Sequence, residues 1–421
     1  MVEMRKPIQV KEAVARVWEQ RQEGNTTYIP LIESDNRRLA EDIIAAHPVP
    51  TFSKSPYDGF AIRSEDTVHA GRNNPISFKV VEHIGAGQVP QKQLHAGEAT
   101  RIMTGAQIPA GADCIAMFEI CQTYEDDHKE SYMSIKRKME SGQNIIEEGS
   151  EVAKGDLLVP KGTLINPGVK AVLATFGYSQ VKVAKKPIVG IIATGTELLD
   201  VDEDLQPGKI RNSNAYMIAS QVVRAGADYH YFGKLKDELE ESYQTIAKAL
   251  DQVDILITTG GVSVGDFDLM PDIYERLGAE VLFNKLAMRP GSVTTAAVAG
   301  DKILYGLSGN PSACYVGFEL YVRPILQHKL ANQKPFLKRI KAKLANDFPK
   351  PNPFTRFVRS YITYDDGLVY AKPAGIDKSN VVTSLAHTDA LTVLPGGTRG
   401  FKAGDEVDVL LLDDQEGQCE F

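Results

Sequence analysis

The chain has 421 residues, of which 43% are apolar and 24% charged, enough to bury several cores and form two to four domains. Its formal net charge of -8 argues against a general nucleic-acid binder. No apolar run approaches the roughly 20 residues needed to cross a bilayer, no signal peptide is recognisable, and the sparse cysteines lack Cys-x-x-Cys spacing, so a cytoplasmic protein is expected.

In chain order, residues 8–24 place Val10, Ala13, Val14, Val17 and Trp18 at helical spacing and end at Gly24, which predicts an amphipathic helix. Residues 39–45 continue as a helix or a short strand, and His47-Pro48-Val49-Pro50 marks a domain border. From 51 to 148 short β-prone runs, such as 78–81, 99–103, 114–117 and 133–135, are separated by turns, which predicts a mostly antiparallel domain. Residues 169–176 read as a helix ending at Gly177.

Four apolar runs follow, at 187–193, 254–259, 280–283 and 302–307. Continuous apolar runs alternating with helical patterns predict a parallel sheet covered on both faces. Ligands of such sheets gather beyond the carboxyl ends of the strands. Residues 311 to about 330 read as a helix capped by Asn310 with Pro311 at its first position. A lysine- and proline-bearing crossing at 331–351 leads to a small all-β region with strands at 357–359, 368–370, 391–394 and 406–410.

There is no G-x-x-x-x-G-K-[ST] loop, no strand-following G-x-G-x-x-G, no H-E-x-x-H and no G-x-S-x-G, which lowers the case for a serine or cysteine hydrolase. What remains is a set of turns. Gly260-Gly261-Val262-Ser263-Val264-Gly265 follows a strand and can present consecutive backbone N–H groups as an anion nest. Ser308-Gly309-Asn310-Pro311 opens a helix, where first-turn N–H groups have no partners of their own. Lys285 and Arg289 flank three apolar residues, a spacing that suits two cations reaching one anion pocket. Glu197, Asp266 and Asp268 would repel an anion, so a different role is expected of them. Binding Mg2+, accepting N–H bonds from a heterocycle and acid–base chemistry all fit. Asp58 on its own reads as a turn-former.

Five motifs in order carry a resemblance: Ser55-Pro56-Tyr57-Asp58-Gly59-Phe60-Ala61, Arg101-Ile102-Met103-Thr104-Gly105-Ala106, Ala193-Thr194-Gly195-Thr196-Glu197-Leu198, the turn at 260–265, and Gly309-Asn310-Pro311. The chain resembles the molybdopterin molybdenumtransferase family, the molybdenum-insertion enzymes of molybdenum cofactor synthesis and homologues of the gephyrin E domain. Such enzymes convert adenylylated molybdopterin and molybdate into molybdenum cofactor and release AMP, helped by Mg2+ or another divalent ion. The implied fold is multidomain α/β plus β. It has a three-layer α/β molybdopterin-binding domain at 187–330 and an inserted, mainly antiparallel domain at 50–148. A helical framework comes from 1–49 and 149–186, and a C-terminal β-barrel from 331–421. The implied assembly is a homodimer whose clefts are shared between subunits, with a molybdopterin adenylyltransferase as a possible upstream partner and no nucleic-acid or membrane partner.

Carried over residue by residue, the resemblance implies that Asp58, Glu197, Asp237, Asp268, Lys285 and Arg289 are catalytic. It places Thr104, Thr194, Gly195, Gly260, Gly261, Ser263, Gly265, Pro290, Gly309, Asn310 and Ser379 against the bound pterin nucleotide, and Glu197, Asp266 and Asp268 on the divalent ion. Lys285, Arg289 and the 260–265 nest would hold phosphates or molybdate. The chain departs from the family pattern where Ser292 and Ile146 replace cations, Glu151 replaces an aspartate, and 377–380 differs from the usual form. Those departures leave a second expectation: a specialised paralogue that binds molybdopterin or uses another oxyanion such as tungstate, with altered or weak turnover.

Overall fold

A computed structural model describes residues 6–235, 238–261 and 269–412. The chain forms two compact units, one from Met1–Glu41, Lys161–Lys170 and Ser179–Phe421, the other from Asp42–Pro160 and Ala171–Tyr178. The larger unit is built on a six-stranded sheet with strands in the order Asp228–Leu235, Ile188–Thr194, Ile255–Thr259, Lys302–Leu307, Thr295–Ala299 and Glu280–Phe283. The first four pair in parallel. Thr295–Ala299 runs antiparallel to both neighbours, so Glu280–Phe283 again points the common way.

Successive side chains of the central strands enter opposite cores, which is why these runs are apolar throughout. Ile191, Ile255, Ile257 and Tyr305 pack with Ile218 and Val222 of helix Asn214–Arg224. Ile192, Leu256 and Leu304 pack with Ile246 of helix Leu239–Leu250 and Ile273 of helix Met270–Arg276. The three layers expected from the sequence are therefore present. Thr295–Ala299, mostly alanine and threonine, is a strand that the apolar pattern does not announce, and it separates Glu280–Phe283 from the parallel core.

The first helix spans Val10–Glu19, shorter than the expected 8–24 but containing every residue of its apolar pattern. Gly24 does not terminate it. A Cβ there would lie 1.8 Å from the Lys329 carbonyl oxygen, so the glycine serves a close backbone approach. The helix predicted from Pro311 is broken into Pro311–Gly317, a π turn at Phe318–Val322, and Arg323–Lys329. Pro324 has no N–H to return to the preceding turn, and the helix widens just ahead of it.

The last β region closes into a barrel, because Thr355–Asp365 pairs with Leu368–Pro373 on one side and Ala390–Leu394 on the other. Arg339–Leu344 and Glu406–Leu411 complete it. The lysine-bearing crossing thus contains a strand: Lys341 and Lys343 face water while Ala342 and Leu344 enter the barrel core.

In the smaller unit a six-stranded sheet has the order Cys114–Met117, Gly59–Ile62, Glu98–Ile102, Ile76–Ile84, Ser131–Ile135, Cys121–Glu125. Every pairing is antiparallel except that of Ile76–Ile84 with Glu98–Ile102. One face buries Phe60, Phe78 and Met133, the other Ile102 and Ile115. Residues 39–45 resolve as a short strand, Ile43–Ile44, paired with Leu157–Val159.

Candidate active site

The parallel strands deliver their turns to one rim of the large sheet. Gly260 follows Ile255–Thr259 with a φ of 87° and donates its N–H to the Leu307 carbonyl at 2.9 Å. A Cβ on Gly260 would stand 2.6 Å from the Thr194 carbonyl oxygen, and one on Gly261 2.8 Å from the Thr194 hydroxyl. Thr194 Oγ1 in turn donates to the Thr259 carbonyl at 3.1 Å. Gly309 approaches from the next strand, 3.7 Å from Gly260 Cα by the same measure. Thr194, Gly195, Gly260, Gly261, Gly309 and Asn310 therefore meet at one rim, and at Gly260 and Gly261 only bare backbone fits the junction.

Glu197 is exposed, and its carboxylate folds back over Gly195, where any Cβ would lie 2.5 Å from an oxygen. Asn310 occupies the cap position of the helix without a side-chain cap bond; its own N–H donates to Ser308 Oγ at 3.2 Å. Asn214, which carries no motif in the sequence, donates from Nδ2 to the Gly309 carbonyl at 2.9 Å. Its buried Oδ1 has no partner among the described residues.

Beside this rim lies a cavity of about 270 Å3 lined by Arg289, Arg356 and Lys378 together with the polar groups of Ser292, Ser308, Asn310 and Ser379. Arg289 is brought there by Met288–Arg289 pairing in parallel with the barrel strand, Arg289 opposite Arg356. Pro290 is buried in the same wall. Asp377 lies against the arginines, accepting from Arg356 Nη1 at 2.5 Å and Arg359 Nη1 at 3.0 Å. Burial pushes the Arg359 guanidinium down against the pull of Asp377. Arg359 Nη2 also donates to the carbonyls of Ile376 and Lys378, while Ser312 bonds the carbonyls of Ser379 and Val381. Ser379 is thus held beside the helix start by a buried ionic cluster.

Arg356, Arg359 and Asp377 carried no local sequence signal, since their partnership joins segments 18 and 21 residues apart. Lys285 is exposed, and the three apolar residues between it and Arg289, namely Leu286, Ala287 and Met288, are buried as expected. It is not among the residues lining the Arg289 cavity.

In the smaller unit Asp58 accepts two bonds at one oxygen, from the Thr104 N–H at 2.7 Å and the Thr104 hydroxyl at 2.9 Å. These donors, the backbone one foremost, hold the Asp58 carboxyl below its ordinary range. The two motifs that contain them are zipped together: Ser55 N–H donates to the Ala106 carbonyl, and the Gly105 N–H to the Ser55 carbonyl. Strand Gly59–Ile62 begins one residue after Asp58, so the motif read as a turn is a turn leading into a strand.

Asp237, Ser263, Gly265, Asp266 and Asp268 lie outside the described residues. Among the described residues no three His, Cys, Asp or Glu side chains gather as a metal site. Glu197 alone supplies one carboxylate, short of the several oxygen ligands a divalent ion takes, so the described donors do not by themselves fit Mg2+.

Comparison with known proteins places these features. Residues 8–177 match a family model described as the MoeA N-terminal region (domain I and II), 190–328 a probable molybdopterin binding domain, and 341–412 the MoeA C-terminal region (domain IV). The chain is 56% identical to a molybdopterin molybdenumtransferase of Bacillus subtilis (strain 168), over 99% of this chain and 97% of that one. It is 50% identical to one from Staphylococcus aureus (strain Mu50), over 100% and 99%. A solved molybdopterin biosynthesis moeA protein from Pyrococcus horikoshii OT3 covers 96% of this chain and 100% of its own with a TM-score of 0.79 at 30% identity. A second such structure reaches a TM-score of 0.87 at 28% identity over 97% and 100%. The chain belongs to the molybdopterin molybdenumtransferase (MoeA) family of enzymes.

Proposed function

We propose that the chain transfers molybdenum from molybdate into adenylylated molybdopterin, releasing AMP and forming molybdenum cofactor. The observation that carries this reading is the convergence of Arg289, Arg356 and Lys378 with three serines and Asn310 on one small cavity beside the glycine rim. Cations supply charge and hydroxyls supply direction, which suits an oxyanion of molybdate's size. The bare backbone at Gly260 and Gly261 leaves room for a pterin nucleotide to approach closely. In this scheme Arg289, Pro290 and Ser379 orient the oxyanion, and Lys285 draws the phosphates toward the rim. Glu197 accepts an N–H of the bound heterocycle. A molybdate oxygen or a water attacks the AMP phosphorus, so that AMP leaves and molybdopterin keeps its own phosphate. The dithiolene sulfurs replace molybdate oxygens, which depart as water or hydroxide carrying the thiol protons.

Ser292 brings no charge to the cavity and Arg356 there is paired with Asp377, but Arg289 and Lys378 form no ion pair among the described residues, which supports turnover over a weakly active paralogue. Ile146 likewise serves the backbone, exchanging N–H···O bonds with Lys54. The finer features belong to the same proposal: the four-domain division, dependence on Mg2+ through Asp266 and Asp268, a contribution of Asp237, a cytoplasmic setting, and supply of substrate by an adenylyltransferase. A homodimer is proposed in which Asp58 and Thr104 of one chain serve the rim of its partner. No described helix is long and apolar enough to cross a membrane.

Incubating the purified protein with adenylylated molybdopterin, Mg2+ and molybdate, and following AMP and cofactor, tests this. Failure to release AMP while the substrate stays bound would defeat the transferase reading. Equal yield with tungstate would widen the oxyanion class.

A further inference from the structure

A second cavity, of about 1130 Å3, opens at the amino-terminal rim of the large sheet, away from the glycine turns. Its walls carry Arg37 and Arg38, Arg224 at the end of one helix, Arg323 at the start of another, and Lys334 and Lys338 on the segment leading to the barrel. Lys186 also lines it, paired with Asp228 at 3.3 Å. The acids in the lining are Glu33 and Asp35, and Asp35 is already engaged by Lys170 at 2.7 Å. On a chain of net charge -8 such a basin runs against the overall field.

Arg224 and Arg323 pair with the buried Glu319 behind the wall. Arg37, Lys334 and Lys338 form no ion pair among the described residues. Arg37 donates from Nη2 to the Ala184 carbonyl at 2.7 Å, and burial pushes its guanidinium down, an effect Asp228 opposes. Lys334 and Lys338 are exposed, whereas Arg37 is half-buried. A half-buried guanidinium without a paired carboxylate is costly to keep out of water, and a bound anion offsets that cost. The guanidinium fork matches phosphate oxygens in pairs, and a concave basic wall focuses the field on a multiply charged guest. Exposed Val223 and Phe336 add an apolar lip.

We propose that this basin binds a small ligand bearing two or more phosphate groups, at a site separate from the oxyanion cavity beside Arg289. Free polyphosphate and a nucleotide share that chemistry, and the apolar lip would favour the nucleotide.

The test is calorimetric titration of the full-length protein with inorganic pyrophosphate and, separately, with ADP. Lys334→Gln/Lys338→Gln should weaken pyrophosphate binding about tenfold or more, as loss of close charge partners does, with its melting temperature unchanged. Arg37→Gln should act in the same direction, and Arg289→Gln should leave this binding intact. Tighter ADP than pyrophosphate would assign a nucleotide, and equal affinities a free polyphosphate. Absence of binding, binding indifferent to the basin substitutions, or binding lost with Arg289→Gln would overturn the proposal. Normal AMP release alongside any of these would leave the transferase reading standing.

Discussion

The Gly260 turn and the Asp58 turn each sit where a strand meets a loop, and they are stiffened by opposite means. At Gly260 the fit is steric: the backbone is so close to Thr194 that no side chain can be added. At Asp58 the fit is electrostatic: an exposed carboxylate collects two donors from Thr104. A steric junction is all or none and indifferent to pH. A carboxylate held by donors is graded, and protonation loosens it. The first kind suits a floor against which a substrate rests, the second a group whose charge has to be maintained.

The electrostatic half of this contrast should be strongest where charge is buried. Asp377→Asn leaves Arg356 and Arg359 facing each other without a counter-ion, and breaking such a pair costs about 3–5 kcal/mol. Thermal unfolding should register this as the largest loss, together with weakened molybdate binding; an unchanged midpoint would show that the cluster is not what holds Ser379. The steric half is tested by Gly260→Ala. Left-handed backbone costs alanine about 1–2 kcal/mol, and the clash with Thr194 roughly 1–3 more. A variant of native stability and activity would show that the junction yields.

Arg289→Gln probes function without stability. Loss of one charge-assisted bond, about 1.5–3 kcal/mol, should raise the apparent KM for molybdate some ten- to a hundredfold while the fold persists. Thr104→Val should have the smallest effect. The backbone N–H still reaches Asp58, so the carboxyl moves back only part of the way toward its ordinary range. Because the folded pKa is depressed, whatever Asp58 contributes is present above the ordinary carboxylate pKa and lost as pH falls through the folded value. Carbon-detected NMR titration of Asp58 should show the upward displacement in Thr104→Val, and no displacement would mean the hydroxyl is idle.

The rim was legible in the sequence because its signals are local. An apolar run followed by Gly260-Gly261, or Asn310-Pro311 opening a helix, announces itself within a few residues. Thr295–Ala299 escaped because alanine gives little strand signal, and Arg339–Leu344 because its outward lysines mask the alternating Ala342 and Leu344. Arg356 escaped for a different reason. Its place beside Arg289 depends on a pairing between Met288–Arg289 and a barrel strand more than sixty residues later, which no local pattern encodes. Lys285 shows the converse: the buried spacer between two cations was legible, but which of them turns into the cavity was not.

The lone reversed strand, Thr295–Ala299, has a bearing on how this architecture can vary. Polarity is inverted once on entering it and once on leaving, so the peptide leaving Phe283 emerges on the same side as those leaving Thr194, Thr259 and Leu307. Deleting that one ribbon, or adding a single further one, would send the arginine-bearing segment out on the far side. Lengthening its hairpin tip at Gly300 would alter nothing at the rim. Insertions are therefore cheap at that tip, while any change in strand parity there would dismantle the oxyanion cavity without touching one of its side chains.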